Sequence, residues 1–326
     1  MSIYRVATSN TYDRALLNIQ QRQSQMGVSQ EQLSSGTRVM RASDDAVAAT
    51  LSERTQNRLA RTEADLRSLE ASRRSMAQAE STLGTVTELY ARMKELVVQA
   101  GSGVLSDSDR VSTAQELSGI REQLIGLANQ RDTAGRPMFS GLGVNNANGK
   151  AFVETTGPVV AMTYGNDGRT VTYDAQRGQV AATETSLPGA LDGYGVFAGQ
   201  MPNADPLQPD DDNVFETLDR AIYSLEGGAT GPALTAELDI VNTQMARRLD
   251  QLMAARGKLG DWLNRADDMK TVFEDRSVAY QKENSELVDV DMVKAISDFQ
   301  GNQTAYQAAL QSYAQVQKMS MFDYLR

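Results

Sequence analysis

Residues 291–326, DMVKAISDFQGNQTAYQAALQSYAQVQKMSMFDYLR, carry an apolar stripe almost to the last residue. The stripe reads Met292, Ile296, Phe299, Gln303, Tyr306, Leu310 and Tyr313, in steps of four and three. The opposite end of the chain repeats the pattern in Tyr12, Leu16, Ile19, Gln23, Met26, Gln30 and Leu33. Steps of four and three place side chains on one face of an α-helix and are the spacing of coiled coils. Chain ends ordinarily fray because nothing there repays ordering. Two amphipathic ends therefore predict helices that lie against each other, against other copies, or both. Residues 303–317 contain no charge, and neither do residues 23–30. A solvated helix face normally carries Lys and Glu. Gln, Ser and Ala instead suit a face that meets protein closely without burying an unpaired charge.

Proline divides the rest of the chain. Six of the seven prolines lie between Pro137 and Pro209, the other being Pro232. Proline inside a helix costs about 3 kcal/mol or more, so both flanks are permitted long helices. On the N-terminal side, helices are expected at about 11–34, after Asp44-Asp45, and after Ser106-Asp107-Ser108-Asp109, a capping signal. The second carries Leu59, Thr62, Leu66, Leu69, Arg73, Met76, Glu80, Leu83, Thr87 and Tyr90 on one stripe. On the C-terminal side a short helix near 214–226 precedes a long one from Leu234 to about Glu286. A break at 287–291 leads into the last helix. The middle, 141–212, alternates apolar and polar residues and holds nine acidic against three basic residues. Residues 158–164 and 170–173 flank Gly165-Asn166-Asp167-Gly168, a hairpin signal. Phe152-Val153 and Gly178-Gln179-Val180-Ala181 are expected as further strands.

The predicted fold is thus mainly α with an inserted antiparallel β domain, the N- and C-terminal arms forming a long antiparallel helical bundle or coiled coil. The expected division is 1–45 with 287–326 as a terminal coiled-coil part, 46–140 with 213–286 as a helical bundle, and 141–212 as the β insert. A helix of some 50 residues draws its stability from tertiary burial, so the arms are expected to pack together.

Composition narrows the chemistry. With no cysteine and no histidine, the 326 residues offer no disulfide, thiol nucleophile, Cys/His zinc site or imidazole catalyst. A net charge of −10 disfavours wholesale phosphate binding, so no nucleic-acid partner is expected. No apolar run is long enough to insert in a bilayer, and Met1–Thr8 show no secretory leader. Asp44-Asp45, Asp210-Asp211-Asp212, and Asp289 with Asp291 are read as helix-start carboxylates or solvated linkers rather than metal ligands. Gly36 reads as a helix stop, and Trp262 and the methionines as packing residues. A glycan-hydrolase reading of the insert would use Glu154 and Asp167, but about 70 residues is small for such a fold. No cofactor is expected.

Three motifs are more specific. Leu33-Ser34-Ser35-Gly36-Thr37-Arg38-Val39 followed by Ala42-Ser43-Asp44-Asp45-Ala46 closely resembles the N-terminal signature of bacterial flagellins and their relatives, and Asp289 through Tyr313 resembles their C-terminal helix. Gly135-Arg136-Pro137-Met138-Phe139-Ser140-Gly141 and the ending Met319 through Leu325 resemble the family's hook–filament junction members more than its filament members. Pro137-Met138 and Met321 depart from the residues usual there. The resemblance implies an extracellular flagellar structural protein, exported unfolded through the flagellar type III channel without a cleaved leader and attended by an export chaperone. It implies self-association into a ring between a hook-side junction protein and flagellin. A cysteine-free chain suits that route. The implied assembly residues are Leu16, Ile19, Met26, Leu33, Gly36, Arg38, Ile296, Phe299, Tyr306, Leu310, Tyr313, Phe322, Tyr324 and Leu325. Filament flagellin itself is the alternative.

Overall fold

In a computed structural model the described residues are 3–103, 105–144, 147–156, 169–181, 183, 185–198 and 213–324, without the side chains of 3–12, 155–156, 169–170 and 316–324. Among the described residues six α-helices run in chain order: α1 (Ile3–Ser35), α2 (Ala46–Gly101), α3 (Asp107–Ala128), α4 (Val214–Tyr223), α5 (Pro232–Val288) and α6 (Met292–Tyr324). Short strands lie between α3 and α4: β1 (Gly143–Val144), β2 (Phe152–Thr156), β3 (Arg169–Tyr173) and β4 (Ala175–Gln176). The chain resolves into two compact units, one of residues 1–63 with 275–326 and the other of 64–274.

Helix starts follow local chemistry. Ser106 caps α3, its hydroxyl accepting from the Asp109 N–H while Asp109 reaches back to the Ser106 N–H. Asn213 and Glu216 make the same reciprocal cap at α4. The cap there is thus Asn213; the triplet Asp210–Asp212 lies outside the described residues. Asp45 begins α2 and Asp291 begins α6, each carboxylate accepting backbone N–H groups of the first turn at 2.9–3.1 Å.

The 64–274 unit is built around large side chains. Along α2 the buried positions Leu69, Met76, Leu83, Tyr90 and Val97 recur every seven residues. Leu117, Ile120 and Leu124 of α3 and Leu238, Val241, Met245, Leu252 and Leu259 of α5 join Met76 through Val97 in one core, while Leu69 packs in a smaller cluster with Leu187, Ala266, Met269 and Phe273. The β segment shares this core. Phe139, Phe152, Phe197 and Phe215 are fully buried, with Phe152 5.3 Å from Phe197 and 5.9 Å from Phe215 between ring centres. Edge-to-face and tilted contacts of this kind add to the burial of each ring. The 135–141 motif has a physical explanation here. Its Met138 and Phe139 plug the core, and Asp132 closes the turn by accepting from the Ala134 and Arg136 N–H groups at 2.9 and 2.8 Å. At the end of the turn Gly141 has φ +58°, and a Cβ there would stand 2.5 Å from the Gln176 carbonyl oxygen, so only glycine fits.

Two β expectations are corrected or limited. β3 pairs antiparallel with β2, Phe152 facing Tyr173 and Thr156 facing Arg169; the expected partner 158–164 and its turn lie outside the described residues. Residues 178–181 form no strand. Gly178 turns at φ +105° and donates its N–H to the Asp192 carboxylate, while the short strand is Ala175–Gln176, paired with Gly143–Val144. The alternation in 178–181 reads as a strand, but the carboxylate draws the backbone away from a ladder.

A buried charge joins β2, α3 and α4. Arg121 places Nη1 3.0 Å from Glu154 Oε1 and Nε 2.6 Å from Asp219 Oδ1. Burial alone would lower the Arg121 pKa, but the pairing with Asp219 and Glu154 outweighs it and raises the value. Glu154, the one described member of the hydrolase pair, is thereby held in a structural ion pair; Asp167 lies outside the described residues.

Candidate assembly surface

In the unit formed by 1–63 and 275–326, α1 and α6 pack against each other. The expected stripes divide here. The half-buried or buried seam of α6 is Ala295, Phe299, Asn302, Tyr306, Ala309 and Tyr313, and that of α1 is Ala15, Ile19, Met26, Ser29 and Leu33. Both seams advance in steps of four and three (on α1 the step at Arg22 is exposed). Ser29 and Ala295 are the most buried positions, and Asn302 Nδ2 donates to Ser29 Oγ at 3.1 Å. The predicted residues Ile19, Met26, Leu33, Phe299, Tyr306 and Tyr313 thus sit half-buried in the hairpin, beside small and amide residues that a search for large apolar side chains passes over.

The other half of each predicted stripe turns outward. Leu16 is 40% exposed, Ile296 46% and Leu310 41%, with Gln23, Gln30 and Gln303 exposed beside them. A hairpin of two helices covers one face of each, and these residues lie one helical step off that face. Phe322 and Tyr324 fall on α6, though their side chains, like Leu325 as a whole, are outside the described residues.

Gly36 and Arg38 have a different job. Gly36 ends α1 at φ +72°, its N–H donating to the Gln32 carbonyl 2.9 Å away. Its own carbonyl accepts from the Val290 N–H at 3.0 Å, and the Arg38 N–H donates to the Val288 carbonyl at 2.7 Å. Arg38 Nη2 also donates to the Leu287 carbonyl at 2.8 Å, and Nη1 pairs with Asp45 at 3.1 Å. The loop after α1 and the loop after α5 are therefore stitched together by main-chain bonds, with Arg38 satisfying a carbonyl left open at the end of α5. The Ala48 N–H and the Arg38 guanidinium together hold the Asp45 carboxyl below its usual range.

Packing, stitching and ion pairing account for these groups, and together they offer a partly apolar helical surface. Among the described residues no cluster of acidic side chains is suited to a metal ion, and no helix is long and apolar enough to cross a membrane.

The comparisons agree with this architecture. Residues 6–143 match the bacterial flagellin N-terminal helical region, and residues 238–325 the bacterial flagellin C-terminal helical region. The chain is 32% identical to flagellar hook-associated protein 3 of Salmonella typhimurium over 98% of both chains. It is 31% identical to the protein of that name from Escherichia coli K12, again over 98% of both. A solved structure of a flagellar hook-associated protein from Vibrio parahaemolyticus superposes with a TM-score of 0.60 at 17% identity, over 76% of this chain and 100% of that one. Two helical arms that match at both ends, a short β segment between them and similarity over 98% of both chains place the chain in one group: it belongs to the flagellar hook-associated protein 3 family, a family of structural proteins rather than enzymes.

Proposed function

We propose that this chain is a structural junction protein of the bacterial flagellum, polymerising into a ring that couples a hook-side junction protein to flagellin. The observation that carries the reading is the exposed half-stripe of the terminal helices, Leu16, Ile296 and Leu310. Burying a fully exposed apolar side chain gains roughly 1.5–3 kcal/mol; less than half of each of these remains exposed, and neighbouring copies would collect that remainder. Head-to-tail contacts of this sort close into rings or continue as helical arrays. In the assembly, Ile19, Met26, Leu33, Phe299, Tyr306 and Tyr313 would hold the hairpin, while Leu16, Ile296, Leu310 and the terminal Phe322, Tyr324 and Leu325 would meet other copies. Gly36 and Arg38 would keep the loop after α1 clasped to the end of α5.

The functional division follows the three parts read from the sequence. Residues 1–45 with 287–326 form the inner wall, 46–140 with 213–286 the supporting bundle, and 141–212 the outward face. On this reading the chain leaves the cell through the flagellar type III channel in the company of an export chaperone. Its place of work is then the extracellular flagellum.

The test replaces Ile296 and Leu310 with Asp in cells that depend on this chain. Both positions are exposed in the monomer, so the isolated protein should keep its helicity while filaments no longer stay attached to hooks. Deleting residues 316–326 should do the same. Cells that still swim with firmly attached filaments would overturn the proposal, and long filaments grown from the purified chain alone would favour a filament protein instead.

A further inference from the structure

Away from the terminal hairpin, two exposed helix faces match each other and not their own surroundings. On α2, Leu51, Arg54, Arg58 and Arg61 follow in steps of three, four and three, which puts them on one face. All four are exposed, Leu51 by 40%. None of the three arginines makes an ion pair among the described residues. Arg54 and Arg58 stand four apart and Arg58 and Arg61 three apart, the spacings at which like charges weaken a helix. Within the row, then, the arginines oppose one another. On α5, Asp268, Thr271, Asp275 and Val278 repeat the same three-four-three steps, all exposed, Val278 by 63%. Neither aspartate makes an ion pair among the described residues.

We infer that the α2 row of one copy docks antiparallel on the α5 row of the next, as a lateral contact between copies in the assembly. The inference rests on the self-association proposed above and names its side-by-side interface. Run antiparallel, the two rows fall into step at every position. Leu51 meets Val278, Arg54 meets Asp275, Arg58 meets Thr271, and Arg61 meets Asp268. One apolar pair and two guanidinium–carboxylate pairs form together, and the repulsion within the arginine row is relieved. A slide of one heptad toward Lys282 sets Arg54 against that lysine. A slide the other way keeps two ion pairs, with Asp268 and Asp261, but sets Leu51 against Thr271 and leaves Val278 in water. Charge complementarity chooses the partner face, and the apolar pair chooses the register.

Because the chain has no cysteine, a Leu51→Cys, Val278→Cys variant carries the only two thiols. Flagella sheared from cells producing it are treated with a short bismaleimide. The expected product is a ladder of dimers and higher multiples. A Leu51→Cys, Thr271→Cys variant, which reports the slid register, should give about tenfold less. Adding Arg54→Glu and Arg61→Glu should cut the ladder about tenfold, and adding Asp268→Arg and Asp275→Arg to those should restore it. Attached filaments that give no ladder, or an equal ladder from the slid register, would overturn the pairing while leaving the junction role intact. Failure of the unmodified chain to assemble would sink both.

Discussion

The two compact units use the same heptad spacing for opposite purposes. In the 64–274 unit the seam of α2 is Leu69, Met76, Leu83 and Tyr90, and the core gathers four fully buried phenylalanines. In the other unit the corresponding positions of α2 are Ala48, Ser52, Thr55 and Thr62. Among the described residues of that unit, every buried side chain is Ala, Ser or Thr, the other two being Ser29 and Ala295. Its seam is partly polar: Ser52 Oγ donates to Asn284 Oδ1 at 2.7 Å. Hydrophobic stabilisation scales with apolar area removed from water. The first unit therefore holds itself together, and the second has little to gain until something else covers it. The lesson is that one repeat pattern can encode both a core and an interface. The size of the residues on the inner face decides which.

The largest expected effect comes from matched truncations. Phe197→Ala in the 64–274 unit should destabilise the isolated chain by about 3–5 kcal/mol, read as a lower urea midpoint of Trp262 fluorescence. Phe299→Ala in the terminal hairpin should move that midpoint by under about 0.5 kcal/mol yet weaken filament attachment. Equal losses of stability would break the contrast between the units.

A smaller effect tests whether the β segment is fastened by charge as well as by rings. Arg121→Met removes the guanidinium that Asp219 and Glu154 share. Since Asp219 retains some contact with solvent, the cost should be roughly 2–3 kcal/mol, short of the full penalty for a buried orphan charge. Urea unfolding followed by near-ultraviolet circular dichroism would measure it. A variant as stable as the parent would show that aromatic packing alone fixes the segment.

Acid should act on both units and least strongly. Asp45 and Asp132 are each held below the usual carboxylate range, Asp45 by the Ala48 N–H and Arg38. At Asp132 burial would raise the value, but hydrogen bonds from Arg136 overcome it. A carboxyl with a lowered folded pKa stabilises the fold above its unfolded value, near 4. That contribution is lost as pH falls through the lower folded value. The melting temperature followed by circular dichroism should therefore drop by a few degrees between about pH 5 and pH 3. Asp132→Asn should remove part of the drop. An unchanged melting temperature across that range would dismiss the capping roles.

Much of this was legible in residues. Asp45, Ser106–Asp109 and Asp291 announce helix starts because short polar side chains satisfy the first free N–H groups there, whereas Asp44, expected to share that role, closes the preceding turn by accepting from the Met40 and Arg41 N–H groups. Gly36 announces a stop because it adopts the left-handed backbone without strain. Proline-free flanks announce long helices. The flagellin-like motifs pointed to the family that full-length similarity then established. The β segment was less legible. Phe152-Val153 and residues 170–173 read as strands, but the pairing of the observed strands depends on which rings share a core, and ring contacts join residues from 139 to 215. The clasp of Gly36 and Arg38 on Val290, Val288 and Leu287 spans some 250 residues and leaves no local mark.

Heptad spacing, capping residues and proline placement by themselves determined that the chain is helical at both ends with a β segment between, because each acts within a few residues. Which half of each terminal stripe turns inward was decided only in three dimensions. There Ser29, Asn302 and Ala295 let α1 and α6 approach closely, so the larger Leu16, Ile296 and Leu310 are left on the outer side. Small side chains win the inner face because helices pack by fit as well as by greasiness, and fit belongs to the pair rather than to either sequence alone.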